Sequence, residues 1–376
     1  MPADLLPVEA LERLSRRDGV DTRPILIRVL TDLFVQKPDN TAEEIGRYEE
    51  LVGKLLDVVD VESRAAVARK LSEDPRAPRS LIDRLIDDAP AVSAPILARS
   101  VNVPRATLLT LALDGGPVEA AAVASRPDLD EDLVRVLAHH RDELVIETLA
   151  ANPAAPLREG PLAALVERAA DSLALAATLL RRTDIDAGVL APLYMQAGPA
   201  RRAAIREALA ARSSRLSTAA RAARRADGAT VALIEAASAP GQAAVIAESL
   251  ADALDIKPDD AARLATEPSG EPFVMMLRAA GVPDELVIRA LLISQPDIAQ
   301  SVPRFFELVE IAESTPRAVA AELVAALTGQ SIRPTAPRRE PVFEPLTTPE
   351  RAGAARPATT AGRRAADRQD AARRRG

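Results

Sequence analysis

Apolar residues along this chain recur at three- and four-residue intervals nearly throughout, the period of an α-helix with one side turned from water. Alternation of β-branched residues over four or more positions is nearly absent, and the strong helix formers Ala, Leu, Arg and Glu dominate. Ile25, Val29, Leu30, Leu33 and Phe34 form a stripe about two turns long. Leu51, Leu55, Leu56 and Val59 form a second. They predict a helical pair over 25–57, joined by KPDNTAEE. There Asn40 or Thr41 caps the second helix, and Glu43 or Glu44 closes a capping box.

From about residue 58 the pattern repeats. VARKLSEDPRAPRSLIDRL, ILARSVNVPRATLLTL, AAVASRPDLDEDLVRVL and ETLAANPAAPLREGPLAAL each hold a short apolar helix, a turn, and a second helix with Leu at helical spacing. The second helices open at Pro78, Pro104, Asp130 and Pro156, 26 residues apart each time. A weaker fifth copy, ATLLRRTDIDAGVLAPL, opens near Asp186. Proline at the first helical position gives up only an N–H that had no intrahelical partner. Aspartate there accepts from free N–H groups and faces the positive end of the helix dipole. A unit of this size cannot bury its own apolar side, and stacking on a neighbour is what closes the core.

Small residues, Asn/Ser-Pro and then Pro-x-x-Leu-x-x-Leu resemble the short all-helical repeats of the variant leucine-rich class, relatives of HEAT solenoids. ILIRVLTDLF, VARKLSEDPRAPRSLIDRLIDD, VSAPILARS, ASRPDLDEDLV and LAANPAAPL, with EPFVMMLRAAGVPDELVIRALL in the second half, resemble the bacterial family known as domain of unknown function 2336. The resemblance covers most of residues 22–330. It implies a helical architecture and brings no catalytic residues with it.

Residues 199–330 remain helical but less regular, punctuated by Gly228, Pro240, Gly241, Pro258, Gly270, Gly281 and Pro283. Ala261, Leu264 and Ala265 give one apolar edge; Phe273, Met276 and Leu277 a second; Leu286, Ile288, Leu291 and Leu292 a third. Phe305, Phe306, Leu308, Val309 and Ala312 read as core of a late helix. Residues 331–376 carry six Pro, eleven Arg and five acids with few apolar anchors, too little to offset ordering entropy, so disorder is expected there. The expected organisation is an N-terminal segment (1–24), a capping helical pair (25–57), an array of about five units (58–198), an irregular helical region (199–330) and an Arg/Pro-rich tail (331–376). The fold class is all-α: an α-solenoid of helical hairpins with a C-terminal helical bundle.

Composition narrows the chemistry. The 376 residues contain no Cys, no Trp, two Tyr, five Phe and two His, with 48 basic and 55 acidic side chains for a net charge of −7. Disulfides, thiolate metal sites and cysteine nucleophiles are excluded, and a base-stacking platform is poorly supplied. No apolar run is long enough for a membrane span, and the first residues lack the basic start and apolar core of a signal peptide. A cytoplasmic location is expected. His139 and His140 are adjacent, about 100° apart on a helix, and so cannot share one ion as residues at i and i+4 do. Phosphate-cradling glycine loops and nucleophile elbows are missing. The pairs Asp87–Asp88 and Asp259–Asp260 read as caps and solvated faces.

The sharpest charge feature is 201–225, with eight Arg and one Glu: Arg201, Arg202, Arg206, Arg212, Arg215, Arg221, Arg224 and Arg225. They are candidates for binding an anion or an acidic partner. On a helical projection Arg201, Arg212 and Arg215 share one direction, and Arg202, Arg206 and Arg224 another, so the charge is spread around the helix. On a solvated helix, changing Arg206 and Arg212 to Glu would scarcely alter stability. The expected function is a non-enzymatic scaffold, without cofactor or metal, that binds a basic or amphipathic protein segment along its helical surface. The alternative is sequence-blind nucleic-acid binding through the Arg cluster and the tail.

Overall fold

The computed structural model describes residues 21–213, 228–236 and 243–329, and every regular element among them is helical. The first half holds α1 (Arg23–Gln36), α2 (Ala42–Leu56), α3 (Val61–Leu71), α4 (Arg79–Ile86), α5 (Pro90–Arg99) and α6 (Arg105–Asp114). It continues through α7 (Pro117–Ala124), α8 (Glu131–Ala138), α9 (Glu143–Ala151), α10 (Glu159–Ala169), α11 (Leu173–Arg181) and a 3-10 segment (Ala187–Gln196). The second half holds α12 (Pro199–Ser213), α13 (Gly228–Ala236), α14 (Ala243–Leu254), α15 (Pro258–Ala265), α16 (Glu271–Ala279), α17 (Asp284–Ser294), α18 (Pro296–Ala299), α19 (Val302–Ser314) and α20 (Arg317–Thr328). The N-terminal segment up to residue 20 and the tail lie outside the described residues.

Packing sorts the first half into two rows. Helices α1, α3, α5, α7, α9 and α11 lie each on the next, and α2, α4, α6, α8, α10 and the 3-10 segment flank them as a second row. One apolar cluster runs through both rows and on into the second half, from Ile27 to Leu327. Leu81, Leu108 and Leu133 are buried in α4, α6 and α8; Leu81 and Leu133 stand three residues after their N-caps and Leu108 four, the place of Ile82 in α4. Each is a large side chain taken out of water, which stabilises by about 1.5–3 kcal/mol.

Several local readings need correction. In α1 the buried face is Ile27, Thr31 and Phe34, while Ile25, Val29 and Leu33 face solvent. The cause is Tyr48 of α2, whose ring stacks on Phe34 at 4.1 Å and whose hydroxyl donates to Thr31 Oγ1 at 3.1 Å, drawing in that face. The cap of α2 is Thr41, paired with Glu44 in a reciprocal box, whereas Asn40 donates to the Phe34 and Lys37 carbonyls behind it. Pro78 and Pro104 stand at the N-cap, one place before the first helical residue. Pro156 stands further out, because α10 starts at Glu159. The unit opened by Asp186 is a 3-10 segment, and Pro192 inside it has no N–H for a longer α-helix. Phe306 and Leu292 are exposed; the buried residues beside them are Leu308 and Leu291.

In the second half α16 is the central element, with every residue but Arg278 buried, against α20, α19, α17, α15 and α14. Gly270 caps it at φ 74, a left-handed backbone that favours glycine, and a Cβ there would press on the side-chain ends of Ile298 and Leu308. Helix α12 packs on the 3-10 segment and on α20, tying the stack to this bundle.

Candidate interaction surface

The two long edges of the first row differ in chemistry. At its C-terminal edge, a polar side chain following α3, α7, α9 and α11 reaches back to carbonyls at the end of the first-row helix before it, and Asn102 after α5 reaches the Pro75 and Ala77 carbonyls just beyond α3. Arg76 donates to the carbonyls of Val35, Lys37 and Pro38 at 2.6–3.0 Å. Arg126 donates to Leu97 and Ser100 at 2.8 and 3.0 Å. Asn152 donates to Ala124 and Arg126 at 2.9 and 2.7 Å. Arg182 donates to Ala150, Asn152 and Ala155 at 2.8–3.2 Å. A helix leaves its last four carbonyls unbonded, and here the following unit satisfies them. The arginines are aimed by carboxylates two residues away: Asp74, Asp128 and Asp184. The hydrogen bonds from these guanidiniums hold all three carboxyls below the usual carboxylate range.

Because these contacts join C-terminus to C-terminus, the first-row helices are parallel, and their N-termini line the opposite edge. There each first-row helix from α3 to α11 leaves an apolar residue of its first turn in water. Val61, Val118, Leu144 and Leu173 are 42%, 44%, 49% and 76% exposed, and Ala91 occupies the same place in α5. Each unit also has one exposed acid within the first-row helix start or in the turn leading into it: Glu62, which faces Arg28 at 3.9 Å, Asp87, Asp114, Glu143 and Asp171. For Glu62 and Glu143, in the first turn of α3 and α9, there is a local reason, since an acid there offsets the dipole. A single exposed leucine needs no explanation, and Val101, Leu113 and Phe306 are exposed elsewhere; what marks this edge is that its apolar residues recur once per unit with a charged rim. Arg141 is an exposed cation next to α9, Arg28 faces Glu62, and Arg64 is paired with Asp88.

The Arg cluster is used differently. Arg201 donates to the Arg182 carbonyl at 2.7 Å, extending the series of carbonyl contacts to α12. Arg202 is buried and donates to Glu271 Oε1 at 3.1 Å and to the Ala197 and Met195 carbonyls. Arg206 bonds the Tyr194 hydroxyl at 2.5 Å and Glu271 Oε2 at 3.3 Å. Arg304 of α19 reaches Glu271 Oε1 at 3.0 Å, and the Tyr194 hydroxyl donates to Oε2 at 2.6 Å. Burial pushes the Glu271 carboxyl up, but hydrogen bonds from Tyr194 and Arg304 and the charges of Arg202 and Arg206 outweigh it, leaving it below the ordinary glutamate value. Burial and the Glu271 charge raise the Tyr194 phenol. Arg212 pairs with Asp186 at 2.7 Å. Arg206 is therefore no solvated charge, and the expectation that its reversal to Glu would leave stability unchanged is withdrawn. Arg215, Arg221, Arg224 and Arg225 lie outside the described residues.

His139 and His140 follow α8: His139 Nδ1 lies 2.8 Å from the Arg135 carbonyl, and His140 Nδ1 accepts from the Asp142 amide. Among the described residues no group of three or more His, Asp or Glu side chains is placed to hold a metal ion.

These features define an all-α protein of stacked parallel helices closed by a helical bundle. Residues 92–325, from α5 into α20, match the family described as an uncharacterised protein conserved in bacteria (DUF2336), and the chain belongs to that family. Comparison with curated proteins and with solved structures found no match. Among the described residues no helix is long and apolar enough to cross a membrane.

Proposed function

We propose that this protein is a non-enzymatic scaffold of the cytoplasm that binds a protein partner along the N-terminal edge of its first helical row. The observation that carries the reading is the recurrence there of one exposed apolar residue and one exposed acid per unit, from Val61 and Glu62 to Leu173 and Asp171. Apolar side chains gain by leaving water against a partner, and a row of carboxylates favours a basic or amphipathic segment. Nucleic-acid binding has less support, because Arg202, Arg206 and Arg212 already hold acceptors within the protein.

The test compares the full chain with the double variant Leu144→Lys/Leu173→Lys in capture of partners from a bacterial extract. Both positions are exposed, so stability should change by no more than about 0.5 kcal/mol. The reading predicts a protein captured by the parent and lost by the variant, with no shift of duplex DNA at low salt by either. A partner retained equally by both, or a DNA shift abolished by Arg212→Glu, would refute it.

A further inference from the structure

Resting on that reading of the edge, the spacing of the row restricts the shape of what it binds. Directly packed helices lie about 8–10 Å apart, so the apolar residues at the ends of α3, α5, α7, α9 and α11 recur at about that interval. A binding segment must offer apolar side chains at the same interval and on one side. An extended strand covers it in three residues, but its side chains alternate, so every third residue turns to the opposite face. A polyproline helix returns to one face after three residues and about 9 Å. Such segments, however, dock in grooves lined with aromatic rings, and among the described residues the edge has none: Phe34, Tyr48, Tyr194 and Phe273 are buried in the core, and Phe305 and Phe306 belong to α19. An α-helix rises about 1.5 Å per residue, so seven residues cover about 10.5 Å and return close to the same face.

We propose that the edge receives one amphipathic α-helix, laid across the row, with an apolar residue at every seventh position and Lys or Arg flanking it to meet Glu62, Asp87, Asp114, Glu143 and Asp171. Each seven-residue step then corresponds to one unit of the stack. Affinity should grow with the number of steps until the five units are spanned.

The experiment is fluorescence anisotropy on the full chain with labelled synthetic peptides. The first series has Leu at every seventh position, Lys beside it and Ala elsewhere, in two-, three- and four-step lengths. Three controls match the longest in length and charge: Leu at every fifth position, Leu at every third in a proline-rich background, and no Leu. The proposal predicts at least tenfold tighter binding on going from two steps to four. It also predicts at least tenfold preference over every control and a tenfold or larger loss with Leu144→Lys. If a control binds as well and Leu144→Lys still weakens it, the edge is a contact surface but the seven-residue match is wrong. If no peptide responds to Leu144→Lys, the reading of the edge itself fails.

Discussion

Asn152 offers the most direct energetic probe of how the first row is aligned. Its side-chain amide donates to the Ala124 and Arg126 carbonyls, and its Oδ1 accepts from the Ala154 amide at 2.9 Å. The residue is 8% exposed, so water has little access to the groups it satisfies. Asn152→Ala removes three hydrogen bonds at once. At about 1 kcal/mol net each, with a higher cost where a carbonyl is left buried and unpaired, the loss should be about 3 kcal/mol. Thr148→Ala is the control: it lies on the same helix, and its hydroxyl serves only the Leu144 carbonyl one turn back. Urea unfolding at constant m should give a difference of at least about 2 kcal/mol between the two variants. Amide hydrogen exchange should quicken first around the α7–α9 junction, because stability in a stack is largely a sum over neighbours. An Asn152→Ala loss below about 0.5 kcal/mol, or one equal to that of Thr148→Ala, would refute the carbonyl-capping argument.

Other outcomes follow from the same geometry. Leu133→Ala should cost about 2–5 kcal/mol, since its side chain is 2% exposed in the α8 contact with its neighbours; an unchanged thermal midpoint would overturn the placement. Arg206→Glu sets a second carboxylate beside buried Glu271 and should cost about 3–5 kcal/mol, whereas Arg201→Ala should cost less; equal small losses would contradict the buried-pair account. The carboxyls of Asp74, Asp128, Asp184 and Glu271 are all lowered in the folded protein. Their contribution is therefore complete above the unfolded-state values near pH 4 and is lost as pH falls through the folded ones. Stability should drop steeply below about pH 4, and Asp128→Asn should flatten that drop; a pH profile identical to the parent's would exclude Asp128 as a contributor.

Much of the architecture was legible because it rests on local chemistry. The helical period, the presence of a capping box before α2 and the turns before α4, α6 and α8 all use residues within one turn of each other, although the choice of Thr41 over Asn40 needed the structure. What escaped depended on contacts distant in sequence. Which side of α1 is buried was decided by Tyr48, 17 residues from Thr31. Arg202 and Arg206 read as a charged helix because Glu271 stands 69 and 65 residues away. The carbonyl contacts did leave a signal in the chain, the short pairings Asp74-Pro-Arg76, Arg126-Pro-Asp128 and Arg182-Thr-Asp184, each closing a first-row helix. The apolar row was hidden for a different reason. Val118, Leu144 and Leu173 stand in apolar runs among buried neighbours, and only parallel packing puts their helix N-termini along one solvent-facing edge.

The central claim is that this edge, and not the Arg cluster, is where the protein meets its partner. Hydrogen–deuterium exchange across the full chain, with and without a bound basic amphipathic helical peptide, tests it most directly. The account predicts added protection in the first turns of α3, α5, α7, α9 and α11 together, with the Arg76–Arg182 edge and α12 unchanged. Protection confined to α12, or spread along the carbonyl-bonded edge, would contradict it.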